Sequence, residues 1–171
     1  GQITLVGAEK HLPYQRPPLS KEYLSDEVTL KRVYMKTKEF FDQNDVKIIS
    51  STQVISIDRN KKSLDLSRGG NLSYEKLVLA TGSRVRKLDV EGSHLSNISY
   101  LRTIEEANKL KEYFKFGKKL VVIGAGYIGL EVAATAIKKG LSVAVVEMGD
   151  RVMNRTVDPI ISKYFDSLHR R

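Results

Sequence analysis

Three glycines and one acidic residue in the stretch Lys119–Glu147 have the types and the spacing needed to bind a dinucleotide. Gly124, Gly126 and Gly129 fit the pattern G-x-G-x-x-G, and Glu147 closes the apolar run that follows. In this pattern the first glycine allows a tight turn and the second lets the backbone approach a pyrophosphate. The third lets a helix pack closely on a strand. The phosphates would lie at the helix N-terminus, where unpaired N–H groups and the helix dipole favour negative charge.

The flanking sequence predicts the elements that must position these residues. An apolar run precedes Gly124, a helical segment follows Gly126, and a second apolar run ends at Glu147. This order predicts a strand–helix–strand unit, in which an ordinary glycine-rich turn without a nucleotide is the alternative reading. A carboxylate at the end of the second strand accepts hydrogen bonds from the adenosine ribose diol of NAD and repels the 2′-phosphate of NADP. The sequence therefore favours NADH over NADPH.

Apolar periodicity, capping residues and turn residues indicate the remaining elements. They predict a strand over Gln2–Val6, a loop over Gly7–Pro18, a short helix capped by Ser20, a helix over Thr37–Asn44, strands over Val46–Ser50 and Thr52–Asp58, a hairpin of Ser63–Leu66 with Asn71–Ser73, a strand over Lys76–Gly82, an irregular segment over Val85–Ser99, and helices over Thr103–Phe116 (capped by Thr103) and Asp158–Arg171.

The composition argues against several classes of protein. The 171 residues include no cysteine and three scattered histidines, so neither a disulfide framework nor a metal site is predicted. No apolar run approaches the roughly 18 residues of a membrane span. The net charge of +9 is spread along the chain, with 20 basic and 15 acidic residues before position 117 and 9 and 5 after it. Because there is no basic run, this charge does not by itself predict a nucleic-acid partner. An acidic protein partner would suit a spread positive charge as well as a nucleic acid would.

Five motifs follow one another along the chain: PYQRPPLSKEYL (Pro13–Leu24), YEKLVLATGSR (Tyr74–Arg84), YLRTIEEA (Tyr100–Ala107), VVIGAGYIGLEVAA (Val121–Ala134) and VEMGDRVMNR (Val146–Arg155). In this order they resemble the flavoprotein ferredoxin reductases of bacterial oxygenase systems, of the rubredoxin and putidaredoxin type, within the pyridine nucleotide-disulfide oxidoreductase superfamily. The resemblance implies an α/β fold with two Rossmann-like domains that bind FAD and NAD(P), both incomplete in this chain. Residues 1–116 would be the middle part of the FAD-binding domain, and residues 117–171 the N-terminal half of the NAD-binding domain.

The resemblance assigns a catalytic pair to Lys21 and Glu131. Lys21 matches the lysine beside the flavin N5 edge, and Glu131 matches its carboxylate partner just after the last fingerprint glycine. A cation near N5 stabilises the negative charge that develops on the reduced flavin. The residues alone favour the ordinary readings, in which Lys21 is a solvated lysine at a helix start and Glu131 is an acid well placed in the first turn of a helix.

Further cofactor contacts are implied by the same motifs. For FAD they are Glu9, Arg16, Pro17, Lys21, Val54, Thr81, Gly82 and Arg102, and for NAD they are Gly124, Gly126, Ile128, Gly129, Glu147 and Arg155. Val54 could instead be a core residue of a strand, and Arg102 could form a structural salt bridge. The chain departs from the family at Ala8, where an acid usually closes the first strand, so that Glu9 would substitute, and at Val85, which replaces a proline.

The activity implied by the resemblance is hydride transfer from NADH to FAD, followed by single-electron transfers to an iron–sulfur protein, ferredoxin or rubredoxin. The segment Gly7–Leu24 contains no cysteine, which favours direct electron exit from the flavin over the disulfide-reductase branch. A cytoplasmic location is expected. The alternatives are an NADH-binding flavoprotein like apoptosis-inducing factor, or a segment without activity of its own. The family's FAD pyrophosphate elements are missing from the chain, so we expect it to be an internal part of a longer protein.

Overall fold

The computed structural model describes residues 1–170 and divides them into two compact units. The first unit comprises residues 1–15 and 34–83, and the second comprises residues 16–33 and those from 84 onward. The elements are β1 (Ile3–Val6), a 3₁₀ helix (Pro17–Ser20), α1 (Leu30–Val33), α2 (Lys38–Gln43), β2 (Val46–Ile49), β3 (Val54–Asp58), β4 (Ser63–Leu66), β5 (Asn71–Ser73), α3 (Ile104–Tyr113), β6 (Lys119–Ile123), α4 (Tyr127–Lys138), β7 (Ser142–Val146) and α5 (Pro159–His169).

The first unit contains one parallel and one antiparallel sheet. Strand β1 pairs with β2 in parallel, from Ile3 opposite Val46 to Val6 opposite Ile49. Strands β3, β4 and β5 form an antiparallel sheet, with a bulge between Val54 and Ser56. The predicted hairpin of β4 and β5 is confirmed residue for residue. Helix α2 lies within the helix predicted over Thr37–Asn44 and begins after Thr37, whose side chain accepts a hydrogen bond from the N–H of Phe40.

The strand predicted over Lys76–Gly82 is wrong. This segment forms no strand, and Val78 and Leu79 are 84% and 67% exposed. An apolar run becomes a parallel strand only when neighbouring strands satisfy its backbone groups. Among the described residues no strand pairs with it. The apolar composition of the segment indicated a strand, but a strand forms only where its backbone pairs with that of a neighbouring strand.

The short helix predicted after Ser20 is also wrong. A 3₁₀ turn already runs from Pro17 to Ser20 and ends there. Pro17 and Pro18 start this turn because proline fixes a helical φ and lacks the N–H that would remain unpaired in a first turn. The hydroxyl of Ser20 therefore caps no helix. The four-residue helix α1 was not predicted.

The second unit is built on the parallel pair of β6 and β7, which is joined by helix α4. The register runs from Lys119 opposite Ser142 to Ile123 opposite Val146. One core packs α3, α4 and the segment after the 3₁₀ helix against this pair. Its buried members are Leu24, Leu110, Phe114, Val122, Val132, Ala133, Ala136 and Leu141.

Two helices flank this strand–helix–strand unit, and each begins after a capping residue, of which Thr103 was predicted. Thr103 and Glu106 form a complete capping box at the start of α3. Helix α3 ends at Tyr113, three residues before the predicted end. The Asp158 side chain accepts a hydrogen bond from the N–H of Ile160 at the start of α5. The prediction for that helix extends to Arg171, which lies outside the described residues.

Candidate dinucleotide and flavin site

The glycine turn of the second unit joins the end of β6 to the start of α4. Gly124 has a φ of +100°, a conformation that glycine adopts without strain. Its N–H donates to the Val146 carbonyl at 2.7 Å, so the turn is held against the end of β7. Gly126 is the N-cap of α4 and offers no side chain to its first turn. The first N–H groups of this twelve-residue helix therefore have no capping side chain, and uncapped N–H groups at a helix start favour an anion.

Gly129 brings the first turn of α4 against this glycine turn. A Cβ built on Gly129 would lie 2.0 Å from the Gly124 carbonyl oxygen, whereas a Cβ on Gly126 would meet nothing within 4 Å. The third glycine is thus required by packing within the protein. The second leaves space beside the helix N-terminus. Ile128, in the same turn, is 53% exposed.

Glu147 connects the end of β7 to the glycine turn. Its Oε2 accepts from the N–H of Ala125 at 2.7 Å, and its Oε1 accepts from the N–H of Gly149 at 2.9 Å. The N–H donors of Gly149 and Ala125 hold the pKa of the Glu147 carboxyl below its ordinary value, with a smaller contribution from the charge of Arg155. The carboxylate is therefore ionised at neutral pH. Each oxygen keeps a further lone pair that could accept a ribose hydroxyl.

Lys21 and Glu131 form an ion pair, as their predicted pairing requires. Lys21 Nζ lies 2.9 Å from Glu131 Oε1, with the two side chains 40% and 27% exposed. The other carboxylate oxygen, Oε2, accepts a hydrogen bond from Ser20 Oγ at 2.6 Å. Sequence reasoning missed Ser20 as a site residue. Its place beside Lys21 in the motif was the only available signal.

Arg16 and Arg102 also meet in the second unit. Arg16 Nη1 donates to the Arg102 carbonyl at 2.6 Å. The Arg102 N–H donates to Glu106 of the capping box at 2.7 Å, which fixes this backbone at the start of α3. The Nε of Arg102 is buried and finds no hydrogen-bond acceptor among the described residues. A buried donor without a partner is unfavourable in a folded protein. Exposed Pro17 begins the neighbouring 3₁₀ turn.

The remaining predicted flavin contacts belong to the first unit. Glu9 accepts a hydrogen bond from Tyr14 Oη at 2.6 Å. Val54 begins β3 and is 39% exposed. Thr81 and Gly82 are exposed, and Gly82 has a φ of +66°, which suits the small-residue turn that its motif predicts.

A parallel strand–helix–strand unit with a glycine turn, an open helix N-terminus and an acid at the end of the second strand defines a dinucleotide-binding protein. The family model of the pyridine nucleotide-disulphide oxidoreductases matches residues 1–171. The chain belongs to this family.

Several relatives are ferredoxin or rubredoxin reductases by name. The chain is 44% identical to rhodocoxin reductase of Rhodococcus erythropolis, over 99% of this chain and 40% of the relative. It is 43% identical to a rubredoxin-NAD(+) reductase of Pseudomonas putida, over 93% and 41%. A crystal structure of the covalent putidaredoxin reductase–putidaredoxin complex superposes with a TM-score of 0.95 at 40% identity, over 99% and 42%. The chain thus spans about two fifths of the length of these relatives.

None of the helices within residues 1–170 is long and apolar enough to cross a membrane. The same residues contain no group of three or more His, Cys, Asp or Glu side chains that could hold a metal ion.

Proposed function

We propose that the protein to which this chain belongs is an NADH-dependent, FAD-containing ferredoxin or rubredoxin reductase. NADH would give up one hydride, and its two electrons would leave one at a time to two molecules of an iron–sulfur protein. The Lys21–Glu131 ion pair carries this proposal. It joins the lysine assigned to the flavin to the helix that starts at the dinucleotide fingerprint. The names of the relatives support the same reaction class.

NAD would be held by the second unit through its glycine turn and the acid beyond it. The residues proposed for this contact are Gly124, Gly126, Ile128, Gly129, Glu147 and Arg155. The open N-terminus of α4 favours a pyrophosphate, since its N–H groups have no capping side chain. The ionised Glu147 would accept from the ribose diol and repel a 2′-phosphate, which favours NADH. Arg155 lies close enough to act electrostatically on Glu147.

FAD, when bound, supplies the hydride acceptor and the carrier of single electrons. In the second unit, the proposed task of Lys21 is to place a positive charge where negative charge develops during reduction, and that of Glu131 is to hold the ammonium group in place. The other proposed contacts in this unit are Arg16, Pro17 and the buried Nε of Arg102, which has no acceptor among the described residues. In the first unit, the proposed contacts are Glu9, Val54, Thr81 and Gly82.

The domain assignment and the location belong to the same proposal. Residues 1–116 are assigned to an FAD-binding domain and residues 117–171 to an NAD-binding domain, on the order of the motifs. The compact units divide the chain differently, because residues 16–33 and 84–116 pack with the second unit. We assign the protein to the cytoplasm, which cell fractionation would test.

Stopped-flow spectroscopy of the flavin-loaded, full-length protein tests the proposed function. Mixing with NADH should bleach the flavin absorbance in one rapid phase, and NADPH should do so more slowly. Adding an oxidised ferredoxin or rubredoxin should then restore the flavin absorbance, with two acceptor molecules reduced for each NADH. A flavin that NADH leaves oxidised would contradict the proposal, and so would a reduced flavin that transfers no electrons to either acceptor.

A further inference from the structure

A buried serine beside Lys21 contacts the same carboxylate as that lysine does. Ser20 is 4% exposed, and its Oγ lies 2.6 Å from Glu131 Oε2. The Pro17 carbonyl lies farther from Oγ, at 3.3 Å. A hydroxyl has only one proton, and charge-assisted hydrogen bonds are the shorter and stronger ones. The geometry therefore assigns the Ser20 proton to Glu131.

A second contact fixes the backbone of the same serine. Thr135 Oγ1 donates to the Ser20 carbonyl at 3.0 Å, and Thr135 is 6% exposed. Residues four apart on a helix lie on one face, so Glu131 and Thr135 meet Ser20 from successive turns of α4. The hydroxyl of Ser20 thus contacts one turn and its carbonyl contacts the next. The 3₁₀ turn can hardly slide along α4 without breaking one of the two bonds.

We propose that Ser20 is a positioning residue that orients the Glu131 carboxylate for Lys21, and that Thr135 holds Ser20 in register. This role rests on the proposed function, because it concerns the charge that Lys21 presents to the flavin. Lys21 takes one oxygen of Glu131 and Ser20 takes the other, which stops the carboxylate from rotating. A lysine ammonium is a compact charge on a flexible stem, so its position follows that of its partner.

Rapid reduction of the flavin-loaded, full-length protein by saturating NADH tests this role. Ser20→Ala should slow flavin reduction about tenfold while the dissociation constant of NADH stays the same, since Ser20 touches neither the glycine turn nor Glu147. Thr135→Val, which keeps the side-chain volume, should slow it about threefold. Ser25→Ala is the matched control, because it removes a hydroxyl of the same segment that donates to the Glu22 carbonyl at 3.3 Å rather than to Glu131. It should reduce at the unsubstituted rate.

A double-mutant cycle separates positioning from a general loss of structure. In a Glu131→Ala background, Ser20→Ala should cause no further slowing, because the group that it orients is gone. Equal slowing in both backgrounds would overturn the proposal, and so would equal rates for Ser20→Ala and Ser25→Ala.

A measurement without cofactors keeps the contact testable on its own. In urea unfolding of the full-length protein without flavin, the Ser20→Ala and Glu131→Ala substitutions should be coupled by about tenfold in the unfolding equilibrium constant, whereas additive effects would refute the contact. If NADH fails to reduce the flavin of the unsubstituted protein, the proposed function is wrong. The unfolding cycle would still decide whether Ser20 holds Glu131.

Discussion

The close approach of α4 to the glycine turn makes Gly129 the most sensitive position of the fingerprint to a small substitution. In Gly129→Ala the new Cβ would lie 2.0 Å from the Gly124 carbonyl oxygen and 3.3 Å from Val122 Cγ1. Real Cβ atoms essentially never come within 3.0 Å of such an atom, so α4 or the turn must move by about 1 Å. The obstructing atom belongs to the backbone and cannot rotate away.

The size of the effect follows from this geometry. Overpacking a well-packed site destabilises a protein by about 1–3 kcal/mol, and a backbone clash belongs at the upper end of this range. We expect the free energy of unfolding to fall by about 3 kcal/mol. With a urea m-value of about 2 kcal/mol/M, the midpoint would fall by about 1.5 M.

Urea unfolding followed by circular dichroism measures this shift, with Gly126→Ala as the matched control. The Cβ of Gly126→Ala meets nothing within 4 Å, and the φ of −82° suits alanine, so its loss should be only about 0.5 kcal/mol. The two variants should separate again in NADH binding. Gly126→Ala should remain folded but bind NADH weakly, because its methyl group would occupy the space assigned to the pyrophosphate. Equal midpoints for Gly129→Ala and the unsubstituted chain would refute the packing argument.

Three further predictions concern the charged and capping residues. Lys21→Ala in the flavin-loaded, full-length protein should slow flavin reduction about 100-fold in stopped flow with little change in NADH affinity; an unchanged rate would remove Lys21 from the mechanism. The pKa of Glu147 is lowered on folding, so its stabilising contribution is present above its unfolded pKa and is lost as the pH falls through its folded pKa. Glu147→Gln should therefore lose less stability than the unsubstituted chain when the pH is lowered, which urea midpoints would measure. The same substitution should raise the use of NADPH relative to NADH. An unaltered cofactor preference would contradict the role assigned to Glu147. Thr103→Ala should lower the free energy of unfolding by about 1 kcal/mol in urea titrations, because it removes half of a capping box; no change would mean that Glu106 alone holds the start of α3.

Local signals were sufficient to predict those elements whose formation depends on nearby residues. One example is the capping box of Thr103 and Glu106, which lies at the start of the helix that it stabilises. Another is the turn around Gly69, which directly joins the two strands of its hairpin. The strand predicted at Lys76–Gly82 failed because strand formation depends on partners elsewhere in the chain. The end of α3 at Tyr113 was missed by three residues, since helix ends carry weaker signals than capped starts.

The candidate site shows the same division between local and distant contacts. The glycine turn and Glu147 follow from spacing within one strand–helix–strand unit. The Lys21–Glu131 pair was reached only through the resemblance, because no spacing rule connects residues so far apart. The hydrogen bond from Ser20 to Glu131 spans 111 positions and was not predicted at all. A serine next to a motif lysine carries no sign of the direction in which its hydroxyl points.

The two backbone hydrogen bonds of Glu147 have a consequence for attempts to redesign the cofactor preference. The acid that would select the ribose also accepts two backbone hydrogen bonds. One comes from Ala125 in the glycine turn and the other from Gly149 in the turn after β7, so Glu147 connects the two turns. Replacing it with a small or basic residue would remove a charge and also leave two N–H groups without their acceptor. A library that varies position 147 alone should therefore yield mostly variants with a loosened turn that bind both nucleotides weakly. Joint variation of positions 125, 147 and 149 is the route by which a new preference could arise with the turn still ordered.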